Sequence, residues 1–477
     1  MESFRFAFSS LTRLRKEVLS GLVVGLALIP EAISFAIVAG LDPRVGLYTA
    51  IVMAVTISFT GGRPAMISAA TGAVALVIAP VTELYGQDYV VATVLLAGIF
   101  QILMAFLGVA KLMRFIPRSV MVGFINSLAA LILIAQFEHV VNVPWLVYPL
   151  VVAGIIMIIA WQRLTHVIPA PLIVIVVITA LAWGFNWNVP TVGDQGELPN
   201  TLPELLIPQV PYTLETLEKI APFAFTVALV GLMESLLTAK LVDDITDTHS
   251  NKTREAAGQG IANILTSFIG GMGGCAIIGQ TMINVQQART RLSTLLAGVF
   301  LFALSYGLGE IVGHIPMAAL VAVMIMVFYA SFDWHSIKPS TLKAMPLSET
   351  LVMVVTFLGT VITHNLAIGV GLGVLTAMVA FARRVSHMVN VEKQSEGHYT
   401  VTGQLFWASS NDLVYFFDYD DAVDTVTIDL TAAEIWDASS VATFSAIERK
   451  YAARGTRVDI IGLDGASKQR LDRLRHL

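Results

Sequence analysis

The residues best suited to chemistry lie just past the middle of the chain, in residues 222–294. Glu234 lies within the apolar segment ALVGLMESLLTAKL, where an ionised carboxylate costs at least ~2.5 kcal/mol on membrane-insertion scales. Farther along, glycines interrupt a second apolar run, GGMGGCAIIGQTMIN (270–284). A carboxylate inside an apolar segment and a helix that begins late are the two parts that a membrane site for an anion and its coupling ion requires.

An earlier stretch, GGRPAMISAATGAVAL (61–76), has the same character and predicts an extended segment followed by a helix that begins near Ala70. Its later counterpart predicts a helix that begins near Ala276. Because the free N–H groups and positive dipole ends of two helices would meet, the pair predicts an anion site without a buried cation. The alternative is that the glycines serve close helix packing. The predicted substrate-binding residues are Ala70, Thr71, Gly72, Ala276, Ile277 and Ile278, together with Glu31.

Glu234 has a hydroxyl on the same helical face, because Thr238 follows one turn later. Glu234 and Thr238 are therefore the predicted coupling-ion site. With loose backbone carbonyls they would bind Na⁺ as the metal ion, or Glu234 would carry a proton; a neutral acid hydrogen-bonded within the bundle is the structural alternative. Glu31 follows Pro30 and either lines the substrate cavity or stabilises a broken first span. No cofactor other than Na⁺ is expected.

Other polar residues near these segments have less specific predicted roles. Ser68 is predicted to cap a helix, whereas Gln280 and Thr281, like Thr71, are predicted to contact the substrate. Hydrogen bonds between helices are predicted for Asn126, Gln136 and Gln101. The basic pairs are interpreted as determinants of membrane topology: Arg289 with Arg291, and Arg383 with Arg384.

These residues require elements that lie in a membrane. Of the 477 residues, 56% are hydrophobic and only 13% are charged, whereas soluble domains have about a quarter of their residues charged. The sequence predicts a polytopic α-helical membrane protein with about fourteen transmembrane helices. Lys and Arg concentrate in alternate loops, so both termini are expected in the cytoplasm, and the expected location is the cell (inner) membrane. The predicted spans are centred near residues 28, 53, 76, 100, 127, 154, 179, 231, 261, 281, 301, 323, 354 and 375.

The spans are expected to form two related halves. Residues 19–187 and 222–385 are nearly equal in length and are separated by an acidic connection, 188–220. Seven spans in each half would invert the second half relative to the first. RFIPRSVMVGF resembles GHIPMAALVAV, and LIPEAIS resembles LMESLLT, which pairs Glu31 with Glu234. Inverted repeats with interrupted helices recur among transporters.

The C-terminal part has an ordinary polar composition, and strand and helix patterns alternate over 388–477. This predicts a small cytoplasmic α/β domain with a largely parallel sheet, in which NDLVYFFDY is helical, after a membrane domain of residues 1–387. The turn between the strand DTVTIDL and the helix SSVATFSAIERKYAARG holds Asp437, Ser439 and Ser440. Ser439 or Ser440 is predicted to cap that helix, and a phosphorylated serine there is the alternative.

Several patterns are absent from the sequence. No glycine-rich phosphate loop is followed by Lys and Ser or Thr, which argues against direct use of ATP. No His or Cys cluster has metal-ligand spacing. The single cysteine, Cys275, excludes an intrachain disulfide. The chain is therefore not expected to be an enzyme, and no nucleic-acid partner is expected.

The chain resembles the sulfate permease (SulP) family of anion transporters over nearly its whole length. The resemblance rests on GLALIPEAISFAIVAGLDPRVGLY (25–48), GGRPAMISAATGA (61–73), FIPRSVMVGF (115–124), ESLLTAKLVDDITDTHSNKTREAAGQGIANILTSFIGGMGG (234–274) and TMINVQQARTRLS (281–293). The C-terminal region resembles the STAS domain (sulfate transporter and anti-sigma antagonist), with IDLTAAEIWDASSV at its signature loop.

The resemblance implies a seven-plus-seven inverted repeat divided into a core and a gate domain, with substrate between spans 3 and 10. It also implies that an acid on span 8 faces the substrate; this acid maps to Glu234, with the following threonine at Thr238. Sodium-coupled bicarbonate members have an Asp there and a span 10 that begins with glycine and threonine. This sequence has Glu234 and CAII (275–278) at those positions, and proton coupling through a Glu is the competing precedent. A homodimer is implied as well.

The leading hypothesis is secondary active transport of a small anion, coupled to Na⁺ or H⁺, by an elevator-like movement of the core domain. Bicarbonate and sulfate are the favoured substrates, and a dicarboxylate stays open. The alternatives are an uncoupled anion channel and a membrane sensor that signals through its STAS-like domain. The expected partners are the anion, the lipid bilayer, a second copy of the chain and a cytoplasmic protein bound through the C-terminal domain.

Overall fold

A computed structural model describes residues 2–108, 116–164, 170–196, 205–307, 309–386, 389–410, 412–420 and 423–474. The chain divides into two compact units, residues 1–373 and 374–477. The domain boundary predicted between residues 387 and 388 falls outside the described ranges and stays a prediction. Part of the predicted acidic connection, residues 197–204, also lies outside them.

Helices dominate the described chain up to residue 386. They are α1 (Glu2–Ala7), α2 (Leu11–Val38), α3 (Pro43–Thr60), α4 (Gly72–Tyr85), α5 (Gln87–Phe106), α6 (Arg118–Ala135), α7 (Val147–Leu164), α8 (Ala170–Gly184), α9 (Leu214–Thr246), α10 (Lys252–Ser267), α11 (Ile278–Gln287), α12 (Arg291–Gly307), α13 (Gly309–Gly313), α14 (Met317–Ser331), α15 (Pro339–Ala344), α16 (Leu347–Thr363) and α17 (Leu366–Ser386). Short 3₁₀ turns lie at Gln136–His139 and Val192–Gln195.

The helices agree with the predicted spans. Each of the fourteen predicted centres falls within one of them. In the described ranges, seven helices are long and apolar enough to cross a membrane, namely α2, α3, α5, α6, α7, α9 and α17, and five shorter helices, α4, α8, α12, α14 and α16, are also apolar. The chain is therefore a polytopic α-helical membrane protein, and α10 and α11 are its two more polar predicted spans.

Two of the short helices begin late because a strand precedes each of them. Strand β1 (Ser68–Ala69) leads into α4, and strand β2 (Cys275–Ala276) leads into α11. The two strands pair antiparallel, with Ala69 opposite Cys275. A Cβ atom at Gly274 would fall on the carbonyl oxygen of Ala69, so this approach requires glycine. The antiparallel pairing sends the two following helices away from the crossing in opposite directions.

The membrane helices pack most extensively within two groups. One contains α2, α3, α4, α5, α9, α10, α11 and α12, and the other contains α6, α7, α8, α14 and α16. The helices α5 and α10 meet at Gly98 and Gly260, where a Cβ on either residue would lie 2.6–2.7 Å from the other's carbonyl oxygen. Glycine thus permits close helix contact here, as in other membrane bundles. The two groups correspond to the predicted core and gate domains.

The C-terminal unit contains a four-stranded sheet in the order β3, β4, β5, β6. Strand β3 pairs antiparallel with β4, and β4, β5 and β6 are parallel. Its buried core includes Tyr399, Phe444 and Tyr451. The elements are β3 (Asn390–Ser395), β4 (His398–Leu405), α18 (Trp407–Ser410), a 3₁₀ turn (Leu413–Phe416), β5 (Thr425–Ile435), α19 (Ala438–Ala452), β6 (Arg457–Ile461) and α20 (Gly465–Leu474).

The predicted α/β domain is confirmed in type, with three differences. Strand β3 was not predicted from the sequence, because its mostly exposed residues lack an alternating pattern. The segment NDLVYFFDY, predicted to be helical, has in its described residues 412–419 one 3₁₀ turn, Leu413–Phe416. Strand β5 continues to Ile435 instead of ending in a turn, because its last residues pair with β4 up to Leu405.

Candidate functional site

The crossing of β1 and β2 brings together the two segments predicted to bind an anion. Helix α4 begins at Gly72 and α11 at Ile278, each two residues later than the sequence predicted. Ala70 and Ala276 therefore lie before the helices, in or next to the paired strands. Since each helix runs away from the crossing, the N–H groups of both helix starts and both positive dipole ends face this region.

The N-terminus of α4 is capped and covered by apolar groups. The Thr71 hydroxyl accepts a long hydrogen bond from the Val74 N–H, 3.5 Å away, so Thr71 is the cap residue. A Cβ on Gly72 would lie 2.9 Å from the Ile132 side chain of α6 and 3.0 Å from the Phe35 ring of α2. The N-terminus of α4 thus contacts α2 of the first helix group and α6 of the second.

The N-terminus of α11 has no side-chain cap; its cap residue is Ile277. The Ile277 N–H donates to the carbonyl of Ile67, which ties this helix start to the opposite segment. Ile277 and Ile278 are half-buried. Among the described residues, no side chain accepts a hydrogen bond from the first N–H groups of α11, which is the property expected of an anion-binding helix end.

Glu31 and Gln280 form a polar pair beside this helix start. The Gln280 Nε2 donates to Glu31 Oε1 over 2.8 Å. The Gln280 Oε1 is buried and has no hydrogen-bond partner among the described residues. Glu31 therefore reaches the start of α11, and Pro30 lies inside an α2 that stays helical through residue 38.

Glu234 points toward the crossing. The Cys275 thiol donates to Glu234 Oε2 over 2.9 Å, and the Cys275 sulfur lies 3.0 Å from the Thr71 hydroxyl. Next to Glu234, the Ser235 hydroxyl accepts the N–H of Ala276. A chain of polar groups thus connects the carboxylate of α9 to the capping residue of α4 through β2.

Thr238 does not join this group. Its hydroxyl donates to the backbone carbonyl of Glu234, 2.7 Å away in the same helix. One carboxylate oxygen of Glu234 already accepts a thiol proton. Hard cations prefer several oxygen ligands, and sulfur suits them poorly. The described donor set around Glu234 therefore does not fit the Na⁺ ion considered from the sequence.

The polar residues near the helix starts mostly hold the crossing together. Ser68 is not a helix cap, because it lies in β1 and accepts a hydrogen bond from Gln259. Thr281 accepts from the N–H of Ile67 and donates to its carbonyl. Its hydroxyl therefore supports the unwound backbone instead of being free for a substrate.

Four further predictions about polar residues have mixed outcomes. The bond between helices is present for Gln101, which accepts from Asn263. Asn126 likewise donates to Ser336 of the segment after α14. Gln136, at the start of the 3₁₀ turn after α6, instead donates to the carbonyl of Ile132 in the last turn of α6. The side chain of Arg291 is buried and donates to the carbonyls of Ser58 and Gly61, so it joins α12 to the end of α3 in addition to any role in topology.

Helix α10 contributes supporting residues that the sequence analysis missed. Asn263 binds both the N–H and the carbonyl of Gly274, and Glu255 accepts from the N–H groups of Gly62 and Arg63. These polar residues follow the helical spacing of a buried face, which was the available signal. Cys275 was not among the predicted site residues, although it opens CAII (275–278), the segment that leads into α11.

The predicted regulatory turn of the C-terminal unit has a different cap from the one expected. Asp437, not Ser439 or Ser440, caps α19, because its carboxylate accepts the N–H and the hydroxyl of Ser440. The other carboxylate oxygen accepts the N–H of Trp407. Ser440 is buried and Ser439 is exposed, and the phosphorylated serine considered from the sequence stays a prediction.

A polytopic helical bundle with two interrupted helices that cross beside a membrane carboxylate defines a membrane transport protein. The chain matches the Sulfate permease family over residues 14–145 and 137–356. It is 47% identical over 459 residues to YbaR of Bacillus subtilis (strain 168), covering 95% of this chain and 96% of YbaR. The chain therefore belongs to the sulfate permease family, whose members are anion transporters and not enzymes.

More distant relatives and solved structures agree with this family. The bicarbonate transporter BicA of Picosynechococcus sp. is 26% identical over 419 residues, covering 80% of this chain and 72% of BicA. The transmembrane domain of a cyanobacterial BicA superposes with a TM-score of 0.67 at 23% identity, over 75% of this chain and 97% of that one. The murine solute carrier 26 family member A9 anion transporter, inward-facing, gives a TM-score of 0.82 at 16% identity, over 96% and 87% of the two chains. At these identities the superpositions establish the fold.

Proposed function

We propose that this chain is a secondary active transporter that carries a small oxyanion across the cell membrane together with a proton. The anion binds at the crossing of β1 and β2, between the starts of α4 and α11. Glu234 carries the proton. The core group of helices moves relative to the gate group in an elevator-like step, and this movement exposes the site to either side of the membrane.

The single observation that carries this proposal is the antiparallel pairing of Ala69 with Cys275 beside Glu234. This pairing directs two helix starts at one region, where their N–H groups and dipoles attract negative charge. The start of α11 keeps donors free because Ile277 offers no capping side chain. An acid next to such a site provides the second ion that coupled transport needs.

The anion is proposed to be bicarbonate or sulfate. BicA is named for bicarbonate, and both YbaR and the family are named for sulfate. Helix ends bind small oxyanions through backbone N–H groups, which suits both ions. A dicarboxylate has the same carboxylate chemistry and remains the third substrate to test.

A proton is the proposed coupling ion because the groups around Glu234 suit it better than Na⁺. The Cys275 thiol and the Thr71 hydroxyl both donate and accept hydrogen bonds, whereas the Thr238 hydroxyl donates within its own helix. A carboxylate among such groups exchanges a proton without needing a cage of oxygen ligands. Membrane carboxylates of this kind commonly form proton relays.

The test is uptake of labelled sulfate and bicarbonate by the full-length chain in proteoliposomes, with inward H⁺ and Na⁺ gradients imposed separately. Uptake of one of these anions should saturate and should rise with the H⁺ gradient alone. Glu234→Gln should lose the stimulation, because the amide cannot take up the proton. Glu218→Gln, the same change at an exposed position of α9, is the matched control and should behave as the parent.

Two results would count against the proposal. If the folded parent protein moves none of sulfate, bicarbonate or fumarate, anion transport is refuted. If currents do not saturate and persist in Glu234→Gln, the protein is an uncoupled channel.

We also propose a homodimer in the inner membrane with both termini and the C-terminal unit in the cytoplasm, where that unit binds a protein partner. Mass measurement in lipid and labelling of the termini from each side test those points.

A further inference from the structure

The thiol of Cys275 lies between the two groups that matter most at the crossing. Its sulfur is 2.9 Å from Glu234 Oε2 and 3.0 Å from the Thr71 hydroxyl. All three belong to different elements: Glu234 to α9, Cys275 to β2, and Thr71 to the residue that caps α4. Cys275 is fully buried and Thr71 is 2% exposed, whereas Glu234 is half-buried, so the thiol and the hydroxyl are shielded from bulk water.

A thiol and a hydroxyl each have one hydrogen to donate, so the chain has two possible directions. When Glu234 is a carboxylate, it only accepts: the thiol donates to it, and the Thr71 hydroxyl donates to the sulfur. When Glu234 carries a proton, the carboxylic acid donates to the sulfur, and the thiol then donates to Thr71. In that second arrangement the hydroxyl hydrogen of Thr71 no longer forms a hydrogen bond to the sulfur and is free to donate elsewhere.

We propose that Cys275 is a positioning residue that couples protonation of Glu234 to the hydrogen-bonding direction of Thr71 at the anion site. This inference rests on the proposed function and specifies how its proton and anion interact. Protonation of Glu234 turns the Thr71 hydrogen toward the start of α4, where it donates to the bound anion. Loss of the proton turns that hydrogen back to the sulfur and weakens anion binding.

No covalent bond other than the one to the incoming proton changes in this sequence. The proton adds to a Glu234 oxygen, and the thiol and hydroxyl hydrogens only rotate about their own S and O atoms. The relay therefore favours movement of anion and proton together, because the anion finds its extra donor only when Glu234 is protonated. By thermodynamic linkage, the factor by which protonation of Glu234 raises the anion affinity is also the factor by which a bound anion raises the proton affinity of Glu234.

Among the described residues, Cys275 is the titratable side chain that forms a hydrogen bond with the Glu234 carboxylate. The helix α9 packs against α4, α5, α10, α11 and β2. Their other titratable side chains lie toward the ends of those helices: Glu83 and Tyr85 on α4, Asp88 and Tyr89 on α5, and Lys252, Arg254 and Glu255 on α10, with none on α11. On α9 itself they are Glu215, Glu218, Lys219, Lys240, Asp243 and Asp244, and on the nearby α2 Glu31 binds Gln280.

The experiment compares Cys275→Ala with Cys275→Ser in the full-length protein, using labelled sulfate or bicarbonate, whichever the parent transports. A serine hydroxyl donates and accepts, so Cys275→Ser should keep at least half of the parent's stimulation by an H⁺ gradient. Alanine breaks the chain, so Cys275→Ala should retain slower, saturable uptake with a stimulation close to onefold. Thr71→Ser should resemble the parent. Ser305→Ala, which removes a buried hydroxyl in α12, is the control and should keep full stimulation.

Binding of the same anion at two pH values gives an independent measurement when a variant transports poorly. Affinity should fall at the higher pH in the parent and in Cys275→Ser, and it should not change with pH in Cys275→Ala or Cys275→Val. Full H⁺ stimulation in folded Cys275→Ala would overturn the relay, and so would loss of stimulation in Cys275→Ser. A parent that transports no anion would instead refute the proposed function, so the two failures are distinguishable.

Discussion

Three buried or partly buried carboxylates of the core group have different surroundings. Glu17 accepts the N–H groups of Arg289, Thr290 and Ser293 and so caps the start of α12. Glu255 accepts from Gly62, Arg63 and Gln259. Each of these two carboxylates thus accepts hydrogen bonds from two or more backbone N–H groups. Glu234 instead accepts from the Cys275 thiol, and the proposed proton coupling rests on this difference.

The role of Glu17 predicts a loss of stability without a change in coupling. Glu17→Gln should lower the stability of the folded protein by about 2 kcal/mol, because charge-assisted bonds to the α12 start are weakened. Thermal unfolding in mild detergent measures this. Lys16→Gln, at an exposed neighbouring position, is the control and should shift the midpoint little. H⁺ stimulation of uptake should persist in Glu17→Gln; an unchanged unfolding midpoint would contradict the capping role.

A substitution of Thr238 distinguishes two roles for this residue. The sequence predicted that it helps to bind the coupling ion, whereas in the structure its hydroxyl is bonded within its own helix. Because its hydroxyl donates to the Glu234 carbonyl in the same helix, Thr238→Val should keep uptake within about threefold of the parent, since a lost hydrogen bond of this kind costs about 0.5–1.5 kcal/mol. The measurement is the initial rate of anion uptake by Thr238→Val and by the parent, under separate Na⁺ and H⁺ gradients. Loss of gradient-stimulated uptake in folded Thr238→Val would restore Thr238 as a coupling residue.

At the scale of elements, the sequence predicted the interrupted helices correctly and their starts two residues early. Glycine runs at 61–62 and 270–274 indicated where helix could not persist. The starts depend on the β1–β2 pairing and on Thr71 as cap, and both involve partners far away in sequence. The same limit explains Cys275: its type and spacing carried no signal until pairing brought it to Glu234. Residue spacing along one helix cannot reveal which other helix faces it.

Because α5 and α10 pack closely at Gly98 and Gly260, we expect that a side chain larger than hydrogen at either position destabilises the protein. Gly260→Ala would place a Cβ 2.6 Å from the Gly98 carbonyl oxygen, so the helices must separate. We expect a loss of about 1–3 kcal/mol, as for other overpacked sites, and a lower yield of folded protein. Gly371→Ala in α17, where a Cβ meets nothing within 4 Å, is the matched control. An equal unfolding midpoint for the two variants would contradict the contact.

At the scale of the whole molecule, the proposed transport machinery belongs to one unit. Glu31, Thr71, Glu234 and Cys275 all lie within residues 1–373, and the C-terminal unit has its own buried core. The sequence predicted a C-terminal α/β domain from composition and strand patterns, but its boundary between residues 387 and 388 stays a prediction, since the two compact units divide after residue 373. It missed β3, because an exposed edge strand of polar residues has no apolar face to indicate it.

Removal of the sheet-containing part of the C-terminal unit, residues 389–477, should therefore leave transport in place. A chain that ends at residue 388 should show saturable uptake that an H⁺ gradient still stimulates, although its maximal rate should change if the unit regulates the membrane part. Proteoliposome uptake and size-exclusion chromatography measure both function and folding. A truncated chain that elutes as folded protein but moves no anion would show that the C-terminal unit takes part in transport.

The contact between Thr71 and Cys275 joins residues 204 positions apart in the sequence, and this has a consequence for biogenesis. While the ribosome is still producing the intervening helices, the residues of β1 have no strand to pair with, and unpaired peptide groups are costly at membrane depth. The nascent first half must therefore keep this segment hydrated or shielded until the later half is inserted. Mutations that slow insertion of α9 to α11 should consequently expose the early segment to quality-control proteases, even when they leave the mature protein fully competent.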